Sequence, residues 1–190
     1  AVEKYSIVIE LESKNTASQL QVKTLLNNTY LEWAEHHYQE GDKEKAGEVY
    51  SQMIKVAGSD AYSLLPPQAT EALVLYGQSL LQQEFYSSAQ TVFESALKLI
   101  QEDDILLAAG YSGLGEAFNG QKRFLDAIRN YYMALNFAND SQEKEAIEVA
   151  IQDAIAGISQ HGVNDRTAKA LVGILSKMVV ETGRLDLAKQ

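Results

Sequence analysis

A chain of 190 residues with 46% hydrophobic content and two prolines is long enough for one domain with a continuous core, and too apolar to be disordered. Its net charge of -10 and its scattered basic residues argue against nucleic acid as a partner, and the lack of cysteine excludes disulfides, thiolate catalysis and Cys-ligated metals. No apolar run approaches the ~20 residues of a membrane helix, and no basic segment followed by an apolar core is visible, so membrane insertion is not expected and the reading leans to a soluble, cytoplasmic protein. The sequence starts at Ala1 without a methionine, which leaves room for an upstream segment.

Apolar residues recur at three- and four-residue spacings, which predicts an all-helical chain. A helix is expected over Thr16–Glu40, capped by Thr16 or Ser18 and broken by Gly41-Asp42, with the next over Lys43–Val56. Gly58-Ser59-Asp60 and Pro66-Pro67 mark a loop, with Pro67 suited to the first turn of a helix running to Gln83. Helices follow over Tyr86–Gln101, Asp104–Asn119 and Arg123–Ala138. Asn139-Asp140-Ser141 caps another, over Gln142 to about Ser159, and Gly162 precedes a last one over Asp165–Glu181.

One spacing recurs through this series. Tyr111, Leu114, Gly115 and Phe118 are followed by Ala127, Tyr131 and Ala134; the same frame fits Leu73, Tyr76, Gly77, Leu80 with Ala89, Phe93, Ala96, and Tyr30, Trp33, Ala34, His37 with Ala46, Tyr50, Met53. Small residues on the first helix (Ala34, Gly77, Gly115) are expected to face small ones on the second (Ala46, Ala89, Ala127), with aromatics filling the space around them. Over these stretches the chain resembles the tetratricopeptide repeat (TPR) family, whose ideal period of about 34 residues is exceeded here between hairpins. The resemblance implies a right-handed α-solenoid of stacked antiparallel helical hairpins, at about 16–57, 67–101, 104–138 and 142–181, forming a single domain over 1–190. Ala1, Tyr5 and Val8 fit half a repeat over 1–13, and Val172, Leu175, Ser176 and Val179, with Gly183 and Ala188, fit another half. The chain then reads as a piece of a longer array, unless the Ala-Ile repetition over 146–155 pairs with 167–180 as a terminal hairpin.

Other patterns have a packing explanation. Gly110, Gly113, Gly115 and Gly120 lie close together but lack nucleotide-loop spacing, and Gly113 is expected to leave a shallow place where a ligand backbone approaches. Glu32, His36 and Glu40 share a helix face at metal-ligand spacing, a pattern that usually binds nothing, and His37 is expected to be half-buried structure. No catalytic motif is present, and Asp103-Asp104, Glu143 and Glu145 sit at helix starts. No enzyme activity, cofactor or metal is expected.

In the family resembled, the first helix of each hairpin lines a concave groove that receives an extended peptide or a partner helix. Transferred to this chain, that face comprises Asn28, Glu32, Glu35 and Gln39, then Glu71, Gln78 and Gln82, then Ser112, Glu116 and Asn119. Its acidic, amide-rich character disfavours a clamp for a peptide C-terminal carboxylate and suits a neutral or basic segment. The function expected is a non-enzymatic protein-interaction scaffold. The alternatives are a peptide-sensing regulatory module and a self-assembling repeat, the last implying a homo-oligomer.

Overall fold

The computed structural model describes the backbone of residues 16–161 and 165–182, and the side chains within 20–160 and 168–176. The half-repeat expected over 1–13, the side chain of Val179, and Gly183 and Ala188 lie outside the described residues. Among those described, all regular structure is helical: α1 (Thr16–Gln39), α2 (Lys43–Ala57), a 3₁₀ turn (Gly58–Ser63), α3 (Ala69–Gln82), α4 (Tyr86–Leu97), α5 (Asp104–Gly120), α6 (Phe124–Phe137), α7 (Ser141–His161) and α8 (Asp165–Thr182). The chain divides into two compact units, Ala1–Tyr76 and Gly77–Gln190.

Elements close in sequence pack together. In the first unit α1 packs on α2, and α2 on the 3₁₀ turn. In the second, α4 packs on α5, α5 on α6 and α6 on α7, while α5 also touches α7 and α6 touches α8. No helix among the described residues is long and apolar enough to cross a membrane.

The three hairpins turn in the same way. The amide of Asp42 donates to His37 O and that of Gly41 to Tyr38 O; Phe85 and Glu84 repeat this on Leu80 and Leu81, and Arg123 and Lys122 on Phe118 and Asn119. These are Schellman pairs, which satisfy the last carbonyls of a helix and require a left-handed residue after it. Gly41 meets the requirement without strain at φ 86°, whereas Glu84 and Lys122 hold φ 61° and 60° with a side chain attached. Asp42 and Asp103 then cap α2 and α5 by accepting from the amides of Lys45 and Leu106. Asp140 and Glu143 form a reciprocal box at the start of α7: Asp140 accepts from the Glu143 amide, and Glu143 from that of Asn139.

Most positions of the repeat frame are buried, but Trp33 is exposed and His37, Tyr76 and Tyr111 are half-buried. Tyr30, Ala34, Ala46, Tyr50 and Met53 are buried in the first unit, and Ala89, Phe93, Ala96, Leu114, Ala127, Tyr131 and Ala134 in the second. The contact at its centre differs from the small-on-small crossing expected from sequence. A Cβ placed on Gly77 would stand 2.7 Å from Phe93 Cζ, and one on Gly115 would stand 2.6 Å from Tyr131 Cδ1. The glycines therefore admit an aromatic ring from the second helix of the hairpin. Phe93 also lies against Gly113, so the shallow place expected there is filled by its ring. In the first unit the closest approach is at Gly47, where a Cβ would collide with the backbone carbonyl of Ala72.

Smaller departures have local causes. Gly58-Ser59-Asp60 is a 3₁₀ turn, not a loop, tied by Ser63 Oγ donating to Asp60 O and by Lys23 Nζ donating to Asp60 Oδ2 at 2.8 Å. The Pro66-Pro67 carbonyls accept from Ala69 and Thr70 in a turn that precedes α3, so that helix starts two residues later than its prolines suggest. Helix α4 stops at Leu97, where Leu99 and Ile100 both donate to Ala96 O.

Gly47→Ala is expected to cost ~1–3 kcal/mol or more in urea unfolding, because its collision is with backbone that cannot swing aside. Glu84→Gly is expected to stabilise by ~0.5–1 kcal/mol, the relief of left-handed strain outweighing the entropy of glycine; a loss of stability would show that the Glu84 side chain is held by something stronger than the turn.

Candidate binding faces on the first helices

In the first unit, α1 presents its buried face through Leu26, Tyr30 and Ala34, while Asn28, Glu32, Glu35 and Gln39 are all exposed. Their steps of four, three and four residues place them on one side of the helix. None of the four makes a side-chain hydrogen bond or ion pair with a described residue. Other acids nearby are paired: Glu40 lies 3.5 Å from His36 Nε2, Glu48 pairs with Lys45, and Asp60 with Lys23.

Glu71 departs from that pattern. Its Oε2 accepts from Tyr38 Oη at 2.6 Å and its Oε1 from Lys43 Nζ at 2.8 Å, so one carboxylate ties the end of α1 and the start of α2 to α3. The Lys43 bond and then the Tyr38 bond hold the Glu71 carboxyl below its ordinary range, while the same carboxylate raises the Tyr38 phenol and the Lys43 ammonium. Both oxygens are occupied, and the group serves as an internal tie.

In the second unit, Gln78 and Gln82 are exposed at the end of α3, and Glu116 is exposed on α5 between half-buried Ser112 and Asn119. None of these five side chains is hydrogen-bonded or ion-paired to a described residue. Glu116 is open to water, yet surrounding protein desolvates its carboxyl and pushes its pKa up. That combination marks a recessed setting. The basic Lys122-Arg123 turn is different, since Arg123 is bound to Asp126 and stacks over the Phe118 ring at 4.3 Å.

Two phenols beneath these faces gave no signal beyond packing in the sequence. Tyr50 is 0% exposed and its hydroxyl has no partner among the described residues. Burial, then Glu35 and Tyr38, pushes its pKa up to about 12. Tyr131 is 3% exposed, and burial, then Glu116 and Asp153, raises its phenol as well. Asn27 Oδ1 and Tyr132 Oη are likewise buried without a partner among the described residues. His37 is half-buried with its ring 6.0 Å from that of Trp33, and no group of three His, Cys, Asp or Glu among the described residues is placed to hold a metal.

No protein-family model matches the chain, and no curated protein matches it significantly.

Because Glu71 titrates lower folded than unfolded, its tie stabilises the protein above the ordinary carboxylate range and is lost as pH falls through the depressed folded value. Glu71→Gln is expected to lower the urea midpoint at neutral pH, with the gap closing once the pH drops below about 4.3. A gap that stays constant into acid would show that the charge on Glu71 contributes nothing.

Proposed function

We propose that this chain is a non-enzymatic interaction module whose first-helix faces receive a neutral or basic peptide segment or partner helix, as the resemblance to tetratricopeptide repeats implies. The observation that carries the reading is the division of polar groups. Glu48, Asp60, Glu71 and Asp126 are held in ion pairs, whereas Asn28, Glu32, Glu35, Gln39, Gln78, Gln82, Ser112, Glu116 and Asn119 leave their side chains without a hydrogen bond or ion pair to a described residue. Unpaired amides and carboxylates on ordered helices present hydrogen-bonding capacity with little reorganisation, and their negative charge steers cationic segments and repels carboxylates.

The test is selection of a random linear peptide library on the immobilised chain. Enriched sequences are expected to be neutral or basic, and Glu35→Lys with Glu116→Lys is expected to weaken them by about tenfold or more, as reversal of interface charge does. Enrichment of acidic peptides, or full binding by the double variant, would move the site away from these faces.

A further inference from the structure

Glycine weakens a helix relative to alanine, so a glycine in a helix interior calls for a reason. At Gly47, Gly77, Gly110, Gly113, Gly115, Gly120 and Gly157 the reason is close approach. An added Cβ there would stand 2.0–2.9 Å from an atom of another helix, in most cases an aromatic ring. Gly173, in α8, has neither a left-handed φ nor such a neighbour, and no described atom lies within 4 Å of the place its Cβ would take. It is exposed, as are Lys169, Val172 and Ser176 around it, whereas Leu171, Ile174 and Leu175 are half-buried. The outward side of α8 thus carries the kind of seat that the fold fills elsewhere, here open to solvent.

A ring suited to such a seat stands on α1. Trp33, 37% exposed, is the one exposed Trp, Tyr or Phe borne within an α-helix among the described residues. With half-buried Val22, exposed Leu25 and half-buried Thr29 it forms a flank at steps of three, four and four residues, the spacing at which one helix packs along another. We propose that this flank of α1 in one copy docks on the outward side of α8 in a second copy, with the Trp33 ring against Gly173, so that the chain associates head to tail with itself. The charges are complementary. Glu32 adjoins Trp33, and Lys169 lies one turn before Gly173; both are exposed and have no hydrogen bond or ion pair with a described residue. The docked helices bring the two together, which fixes register as well as attraction. Val172, 63% exposed, is covered by the same contact. Because the two faces differ, the interface is heterologous: each added copy brings a free flank or a free seat, and assembly runs on into rings or open chains. The inference goes beyond the peptide reading and does not depend on it, since no peptide takes part.

The experiment is sedimentation equilibrium of the whole chain over a range of concentrations. The native chain is expected to associate, and Trp33→Ala and Gly173→Leu are each expected to weaken that association by about tenfold or more, as loss of a central aromatic anchor does. Mixing the two variants distinguishes this contact from any other. Trp33→Ala keeps its seat and Gly173→Leu keeps its ring, so together they are expected to form a one-to-one dimer that grows no further. The exposed charges give a second route that leaves the packing intact: Glu32→Lys and Lys169→Glu each weaken association, and both changes in one chain restore it. A native chain that stays monomeric at every concentration, association unchanged by Trp33→Ala and Gly173→Leu, or a doubly charge-reversed chain no better than either single variant overturns the proposal. So does a mixture of the two packing variants that grows beyond the dimer. These outcomes are separable from failure of the interaction reading, which the peptide selection tests on the immobilised chain.

Discussion

The contact on which the second unit depends is an aromatic ring lodged where a helix lacks a side chain. Phe93 extends from α4 against Gly77 of α3 and Gly113 of α5, so one ring sets the approach of three helices. Tyr131 does the same from α6 against Gly115. Such a contact tolerates neither a larger residue at the glycine nor a smaller one at the ring, because interiors are close-packed and neighbours relax only in part. It also has a consequence for the surface. Fixing the glycine against a ring fixes the direction of the next residue, which is Gln78 in one case and Glu116 in the other. The exposed face is thus positioned by the core beneath it.

The turns supply the second constraint. All three hairpins close with the same pair of backbone bonds, though the residue in the left-handed position is Gly41, Glu84 or Lys122. A left-handed residue bearing a side chain costs about 1–2 kcal/mol. It persists at Glu84 and Lys122 because the bonds around it satisfy carbonyls that would otherwise end a helix unpaired, and because both flanking helices are held by buried rings. Local preference yields here to the geometry of the hairpin.

Helix positions were largely legible in the sequence because amphipathic periodicity and breakers agree: α2, α4, α5 and α8 start at the residues that the pattern indicates. The buried positions were legible for the same reason, since a spacing repeated three times averages out accidents of composition. What escaped was tertiary. Nothing local marks Gly47 as the residue lying against the Ala72 carbonyl, or Gly113 as a seat for Phe93 and not a notch for a ligand. Glu71 fits the expected face by register, yet Tyr38 and Lys43 claim both its oxygens. Hydrogen bonds between residues about thirty apart leave no trace in periodicity. The polar face itself was legible as a register, but its freedom from internal pairing was not.

The copies of the frame differ in what they bury. An unsatisfied buried hydroxyl costs about 1–3 kcal/mol. Tyr50 bears such a group, and Phe93, at the equivalent position, does not. Phe93 is fully buried, and its ring is among the largest of the side chains without exposure. A ring without a hydroxyl can sit with its tip between two glycines; a phenol there would bring its oxygen against helix backbone whose own groups are already bonded. The second copy therefore uses the frame for packing alone, whereas the first carries an unpartnered hydroxyl inward.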